Sequence, residues 1–209
     1  MRKMILACLC SGMILLSGCS SEASVEQELA DVLSTIDKVE KDYRTAQANL
    51  TKLEQSEQQQ FNALMELTQD EMEQVEKKVE KLEKLLQERL VDLGREELAM
   101  RKASELASDL DTISEKVAED DKERVEELKR TLMSRYELHT FIVEEYTELA
   151  TIQQSFYEQV STEGTTLSEL RDLVDEVNVQ NKVVQEVISA FNDETDRVNG
   201  LKDALFADE

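Results

Sequence analysis

Apolar residues recur at alternating intervals of four and three along the first part of the chain, and this spacing constrains the fold more than any other feature. Nine residues follow it without a miss: Val25, Leu29, Val32, Ile36, Val39, Tyr43, Ala46, Leu50 and Leu53. On an α-helix, this heptad spacing places all of them on one face, as in coiled coils and helical bundles. We therefore expect a first long helix whose apolar face is buried against other helices.

The composition favours more helices of the same kind and excludes a β fold. The 209 residues include no Pro and only 5 Gly, the two residue types on which tight reversals of the chain depend. An all-β sandwich or barrel needs many such reversals. The 34% of charged residues beside 40% of hydrophobic residues suit long amphipathic helices.

Local signals mark where three further helices begin. The heptad phase is lost over residues 58–67, and residues 68–71 (Thr-Gln-Asp-Glu) then form a capping box that predicts the start of a second helix. Acidic residues 119–121 favour a helix N-terminus and predict the start of a third helix. Gly164 supplies a turn position, and residues 166–169 (Thr-Leu-Ser-Glu) form a second capping box that opens a fourth helix.

These four helices predict an all-α fold, an elongated up-down bundle with coiled-coil-like packing over residues 25–206. Each helix has about forty residues, so the bundle is roughly 60 Å long at 1.5 Å per residue. Gly94 interrupts the apolar seam of the second helix and marks a weak point within it. In the alternative geometry, the second and third helices continue through residues 119–121 as a longer, thinner antiparallel coiled coil, because no proline forces a reversal there.

The N-terminus carries the pattern of a bacterial lipoprotein signal peptide. Arg2 and Lys3 precede an apolar run over residues 4–16, which is too short to span a bilayer but typical of a secretory signal. The run ends in a sequence that looks like a lipobox, with small residues before a cysteine: Leu16, Ser17, Gly18 and Cys19. The pattern predicts a signal peptide over residues 1–18 and a lipidated cysteine with a short linker over residues 19–24. The alternative is an ordinary signal peptide that is cleaved elsewhere, with an incidental cysteine.

Cleavage before Cys19 determines how we expect the mature protein to be anchored and which net charge it carries. A diacylglyceryl group on the Cys19 thiol, with or without an N-acyl chain such as palmitate, holds a protein durably to a bilayer. We therefore expect this covalent lipid to be the only cofactor and the membrane to be a partner, with the protein on the outer face of the cytoplasmic membrane, facing the cell wall. The signal peptide contains two basic residues and no acidic ones, so its removal changes the net charge from -23 to -25.

Polar residues interrupt the apolar seams of the third and fourth helices. Arg135, His139 and Gln153 fall in phase with the leucines of the third helix, and Asn181 lies in the seam of the fourth. Buried polar residues in helical seams can fix register and partner orientation, so we expect Arg135 to pair with a carboxylate of a facing helix. This role predicts that an Arg135→Leu variant remains folded by circular dichroism.

The residue types and their spacing in the sequence predict no catalytic, metal-binding or nucleic-acid-binding site. His139 is the only histidine, and no carboxylate lies three or four residues from it on its own helix. No carboxylate pair suited to acid–base catalysis and no calcium-binding loop stand out. With 47 acidic against 24 basic residues and 4% aromatics, the chain has neither a basic groove nor a stacking surface for nucleic acid. We therefore expect no catalytic residues, no metal site and no enzymatic activity.

Several short motifs point to a family. Beyond the lipobox they are Ser134-Arg135-Tyr136, Tyr146, Phe156-Tyr157-Glu158, Thr165-Thr166-Leu167 and Val177-Asn178. Together they resemble the YkyA-type cell-wall-binding lipoproteins of Bacillus-like Gram-positive bacteria. The resemblance implies an envelope protein on the outer face of the cytoplasmic membrane, for which contact with the wall is proposed, and it brings no catalytic motif.

Two functional classes follow from these observations. The first is a structural or interaction protein of the cell envelope, associated with the cell wall and acting through its helix surfaces towards a protein or wall partner. The alternative is a chaperone-like or ligand-binding helper for exported proteins, which needs an exposed apolar groove. The candidate lining of that groove is Phe141, Tyr146, Phe156 and Tyr157, unless these side chains form the bundle core instead.

Overall fold

The computed structural model describes residues 19–206, with side chains from Val25 onward apart from those of Gln69 and Asp120. Within this range the chain forms α1 (Cys19–Met65), a 3-10 turn (Gln69–Glu71), α2 (Met72–Ala107), α3 (Leu110–Ser114), α4 (Glu119–Val160) and α5 (Leu167–Leu205), and it contains no strand. The predicted signal peptide, with the lipobox residues Leu16, Ser17 and Gly18, lies outside the described residues.

The four long helices run alternately up and down, which confirms the predicted all-α bundle. α1 packs along α2, α4 packs along α5, and α2 packs against α4 to join the two pairs. α1 and α5 also meet through side chains, since the ring centroids of Tyr43 and Phe191 are 6.0 Å apart. The alternative geometry with continuous second and third helices is not observed, because the chain leaves helical geometry between Ser114 and Glu119.

The predicted apolar seams form a core that runs the length of the bundle. Ile36 of α1, Leu82 of α2 and Leu128 of α4 are each 0% exposed. Burying a side chain of this size contributes about 1.5–3 kcal/mol, so packing between helices, more than the helix propensity of each segment, stabilises the fold.

The first helix is longer than predicted at both ends. α1 continues through the region where the heptad phase is lost and ends at Met65. The reason is that Leu64 is buried and Phe61 packs beside it in a cluster shared with α2 and α4. Residues 19–24, predicted to be a linker, are helical from Cys19 onward. They therefore rise about 1.5 Å per residue, where an extended linker rises about 3.3 Å.

The second helix also differs from the prediction. α2 passes through Gly94 without interruption, because Leu93 and Glu96 on either side of it are buried against neighbouring helices. The break falls instead after Ala107, where residues 108–109 form a turn before the short α3. The glycine is thus tolerated on an exposed face, while tertiary packing holds the helix together.

Both predicted capping boxes are present. The Thr166 backbone N–H donates to Glu169 Oε2 at 2.8 Å, and the Glu169 backbone N–H donates to Thr166 Oγ1 at 3.3 Å. At the other connection the Thr68 backbone N–H donates to Glu71 Oε2 at 3.0 Å, although this box opens the 3-10 turn before α2. Gly164 has a φ of +89°, the left-handed conformation that a turn requires and that glycine adopts without strain.

Candidate functional site

A cleft opens between α1 and α5 in the half of the bundle that carries the α1–α2 and α4–α5 connections. Its volume is about 560 Å³, within the range of natural ligand sites. Residues 54–61 of α1 and residues 174–188 of α5 border its two sides, and its floor is formed by α4 and one residue of α2 together with the carboxylates of Glu54 and Glu57. The cleft exists because α5 packs loosely here: no residue from 167 to 183 is fully buried, whereas Val184, Phe191 and Val198 further along are.

Five polar side chains from three helices form the hydrogen-bonded floor of the cleft, which we call the floor cluster. Arg89 Nη1 of α2 pairs with Glu57 Oε2 of α1, and Arg89 Nε donates to the Tyr146 hydroxyl of α4 at 2.7 Å. The Tyr146 hydroxyl donates to Glu54 Oε1 at 2.7 Å, and the Tyr157 hydroxyl donates to Glu57 Oε1 at 2.5 Å. The floor cluster therefore ties α1, α2 and α4 together.

Burial keeps the two tyrosine hydroxyls of the floor cluster protonated. Burial raises the pKa of Tyr146 and Tyr157 well above the usual range, and the carboxylates of Glu54 and Glu57 add to that shift. Burial alone would lower the pKa of Arg89, but Tyr146 and Glu57 outweigh it and the net shift is upward. Both hydroxyls and the guanidinium thus stay protonated at neutral pH, where they donate hydrogen bonds within the cluster.

The sides of the cleft are apolar. The ring centroids of Phe61 and Phe156 lie 5.7 Å apart, and Phe61 is only half-buried. Val174 and Val177 of α5 are also half-buried, and Ile188 is 37% exposed. These side chains present apolar surface to solvent inside a concavity, which is the arrangement that most ligand sites share.

Neutral amide side chains surround the opening. Gln153, predicted to be a polar residue of the seam, is half-buried and accepts a hydrogen bond from Arg89 Nη1 at 3.1 Å. The prediction that Asn181 lies in a buried seam is wrong: it is exposed at the rim, because α5 turns this face towards the cleft and not into the core. The exposed amides of the rim, on α1 and α5, are Gln58, Asn178, Asn181 and Gln185.

Arg135 lies in the other half of the bundle, in a second buried cluster. Its Nη1 is 2.7 Å from Glu40 Oε1 of α1, and its Nε donates to Thr195 Oγ1 of α5 at 2.8 Å. Glu40 also accepts from the Tyr136 hydroxyl at 2.9 Å, and the guanidinium carbon stands 4.7 Å from the Phe191 ring centroid. The cluster joins α1, α4 and α5; its role in fixing register stays a prediction, which Arg135→Leu tests.

His139 lies beside a carboxylate of another helix. Its Nε2 lies 3.6 Å from Glu96 Oε2 of α2, and its ring contacts Tyr43 and Phe191 with centroid distances of 5.4 and 5.9 Å. Burial raises the pKa of Glu96, and His139 opposes the shift. Among the described residues, no group of three or more His, Cys, Asp or Glu side chains is arranged to hold a metal ion.

The four aromatic residues predicted to line a groove separate into two groups. Tyr146, Phe156 and Tyr157 line the cleft, although each is itself buried. Phe141 is 45% exposed and is not part of the cleft lining. Three of these side chains therefore belong to both the cleft and the core. Lining a groove and forming the bundle core are not exclusive roles for them.

The charged members of the floor cluster were not predicted from the sequence, although a signal for them exists. Glu57 continues the heptad spacing of α1 beyond Leu53, and Arg89 and Glu96 occupy seam positions of α2 in phase with Leu82. A charged residue at a seam position is the signal that identifies such buried pairs. This signal is as clear in the first two helices as it is in the third and fourth, where polar seam residues were predicted.

The geometry defines an all-α bundle with a cleft on one side, and comparison with known proteins places the chain among envelope lipoproteins. The YkyA family, described as "Putative cell-wall binding lipoprotein", matches residues 24–208, and the chain belongs to this family. The "Uncharacterized lipoprotein YkyA" of Bacillus subtilis strain 168 is 23% identical over 198 residues, 94% of this chain and 88% of that protein. These matches confirm the resemblance found from the sequence.

A solved structure shares the fold. It is the 1.6 Å crystal structure of a conserved protein of unknown function from Staphylococcus aureus, which superposes with a TM-score of 0.75 at 18% identity. The likeness covers 88% of this chain and 95% of that one. At this identity the comparison concerns the fold alone, and it shows that the bundle forms from very different sequences.

No helix within the described part of the chain is both long and apolar enough to cross a bilayer.

Proposed function

We propose that the protein is a non-enzymatic interaction protein of the cell envelope, anchored by a lipid on Cys19 and binding its partner in the cleft between α1 and α5. The observation that carries the proposal is the position of the cleft. Cys19 begins α1, and the cleft borders residues 54–61 near the other end of that helix. At 1.5 Å per residue the cleft lies about 55 Å along the bundle from the anchored end.

The floor cluster supports binding over catalysis. Every charged group in it is bonded to another member, and the hydroxyls of Tyr146 and Tyr157 are held protonated by burial. A catalytic acid or base needs a pKa near the working pH, whereas the pKa values of these two hydroxyls are shifted away from it. The cleft is thus suited to hold a partner without transforming it.

Crosslinking in intact cells tests the proposal. A photoreactive amino acid at position Ile188 stands inside the cleft, and the same amino acid at position Val179 stands on the opposite side of α5, where the side chain is 66% exposed. We expect a discrete covalent adduct from position 188 and none from position 179. Equal labelling from both positions, or no adduct from position 188, would contradict a binding role of the cleft.

Wall association is the second part of the proposal, and charge determines its form. Wall polymers rich in phosphate are anionic, and so is this chain, with a net charge of -23 before cleavage. Like charges repel beyond a Debye length of about 8 Å at physiological salt, so direct adhesion needs divalent cations as bridges. In sedimentation with purified wall sacculi we expect binding that a chelator abolishes. Binding that persists in chelator would show a different mode of attachment.

A further inference from the structure

We propose that the cleft binds an extended polypeptide segment that carries small or apolar uncharged side chains at its centre and basic residues at its flanks. This inference rests on the proposed function and names the partner of the same site. It follows from the shape of the cleft, the charges of its floor and the chemistry of its rim.

The shape and walls of the cleft favour a short apolar segment. A concavity of about 560 Å³ is too small for a second helix of the length found in this bundle, but it suits a few residues of extended chain. Its walls offer Phe61, Val174, Val177 and Ile188, which are half-buried or exposed. Covering them removes apolar surface from water, and the hydrophobic effect drives that step.

The floor selects against an anionic ligand. Glu54 and Glu57 face a single guanidinium, that of Arg89, so the floor carries one negative charge in excess. The whole chain adds its own negative field, with 47 acidic and 24 basic residues. A carboxylate or phosphate is repelled, whereas basic flanking residues are attracted towards the rim.

The rim matches the backbone of a peptide. Gln58 on α1 and Asn178, Asn181 and Gln185 on α5 are exposed around the opening. Each side-chain amide carries one acceptor oxygen and two donor hydrogens, the complement of the N–H and C=O groups of an extended backbone. A row of such amides binds main chain independently of its side chains, so the apolar walls then set the preference for sequence.

A glycan fits the cleft less well. Proteins bind sugar rings by stacking them on exposed aromatic faces, and three of the aromatic residues that line the cleft have no such face. Tyr146, Phe156 and Tyr157 are 4%, 4% and 3% exposed. Among the lining residues, Phe61 alone offers ring surface, and it already packs against Phe156.

Binding of a labelled peptide to the purified mature protein tests the inference. The probe is a fluorescein-labelled nonapeptide with the sequence KKLVALVKK, and the comparison probe is EELVALVEE, which differs only in its flanks. We expect saturable binding of the first probe and at least about tenfold weaker binding of the second. Equal affinity for the two probes, or no binding of either, would overturn the inference.

Two variants locate the binding. Ile188→Glu places a charge on the apolar wall, where residue 188 is 37% exposed, and Val179→Glu makes the same kind of change on the far side of α5. We expect at least about tenfold weaker binding of the basic probe for Ile188→Glu and no change for Val179→Glu, the scale expected when one central contact of an interface is lost. Circular dichroism verifies that both variants are folded. An equal loss of probe binding in both variants would overturn the assignment of the binding site to the cleft.

The double variant Asn178→Leu with Asn181→Leu tests the rim without adding charge. Both positions are exposed on a helix, and leucine is a better helix former than asparagine, so the variant retains its fold. If the amides hold the peptide backbone, binding of the basic probe weakens about tenfold. If the cleft binds by apolar contact alone, the added leucines strengthen binding, and the peptide inference fails.

The outcomes for the two proposals are separable. A crosslink from position 188 to a glycan, together with no peptide binding, would overturn the peptide inference and leave the proposed function standing. The absence of any crosslink from position 188 would contradict the proposed function itself. A crosslink from position 188 to an unfolded or extended region of an exported protein, with its peptide identified, supports both.

Discussion

Two buried ion pairs among the described residues join different helices of the bundle. They are Glu57–Arg89 and Glu40–Arg135. Removing one partner of such a pair strands a buried charge, which is costly, whereas replacing both partners by apolar residues is often nearly neutral. We therefore expect the pairs to specify which helix faces meet more than they add to the net stability.

Arg89 offers a direct test of this view. Replacing it with methionine keeps the aliphatic stem and removes the charge that faces Glu57, so we expect Arg89→Met to lower the free energy of unfolding by about 3 kcal/mol. Adding Glu57→Leu removes the stranded carboxylate, and we expect the double variant to recover a large part of that loss. Urea denaturation of the two single variants and the double variant measures the coupling. Purely additive effects would show that the pair is not coupled.

Glu96 predicts a pH dependence of stability. Burial raises its pKa, Glu54 and Asp92 add to the shift, and His139 opposes it. The folded state therefore holds the proton of Glu96 more tightly than the unfolded state does. The contribution of this residue is present in full below the unfolded pKa near 4.5 and is lost as pH rises through the higher folded pKa.

The variant Glu96→Gln removes this titration. We expect its stability relative to the unaltered protein to improve as pH increases from 4.5 towards 7, measured by urea denaturation across that range. Glu97→Gln is the matched control, because it removes the same charge from an exposed neighbour on the same helix. If both variants show the same pH profile, the effect comes from general charge repulsion and not from the buried position of Glu96.

At the scale of elements, the two halves of α5 behave differently. Its C-terminal half is held by the buried side chains Phe191 and Val198, with Val184 buried near the middle of the helix, while its N-terminal half contributes half-buried residues to the cleft. The N-terminal half begins at the capping box of Thr166 and Glu169. Local capping thus contributes more to the stability of that half, because tertiary packing contributes less.

Two glycines predict opposite responses to the same substitution. Gly94 lies on an exposed face inside α2, and a Cβ at this position would meet no atom within 4 Å, so Gly94→Ala should stabilise the protein by about 0.5–1 kcal/mol. Gly164 also has open space around it, but its φ of +89° disfavours any side chain, so Gly164→Ala should destabilise by about 1–2 kcal/mol. Thermal denaturation by circular dichroism measures both. Effects of the same sign would show that backbone conformation is not the deciding factor.

At the scale of the whole molecule, the proposed anchor and the cleft lie near opposite ends of an elongated bundle. The residues after Cys19 are helical, so under the proposed anchoring the bundle begins close to the lipid and has little free linker. The negative charge of the chain disfavours contact along anionic lipid surfaces. Under the proposed anchoring, this arrangement holds the cleft away from the membrane.

The proposed lipid anchor predicts that substitution of Cys19 abolishes lipid labelling. We expect Cys19→Ala to lose metabolic labelling by a palmitate analogue and to leave the membrane fraction, because the thioether cannot form. Cys10→Ala is the control, since that cysteine lies within the predicted signal peptide and carries no lipid. Equal labelling of Cys19→Ala and the unaltered protein would contradict the anchor.

Much of the fold could be predicted from the sequence because helices depend on residues that are close together along the chain. The heptad positions of α1, the capping boxes at Thr68 and Thr166 and the turn at Gly164 depend on neighbours in sequence, and each is present in the structure. The end of α1 and the continuity of α2 through Gly94 could not be predicted in this way. They depend on contacts with other helices, such as the packing of Phe61 and Leu64 in the cluster shared with α2 and α4.

The cleft is a property of tertiary structure. A heptad pattern states that one face of α5 is apolar, but it does not state how closely α1 approaches that face. The separation of these two helices exposes Asn181 and Ile188, and the packing of α1, α2 and α4 brings Glu57 to Arg89. Residues that are distant along the chain meet only after the helices have packed. Local periodicity carries no information about the distance between two packed helices.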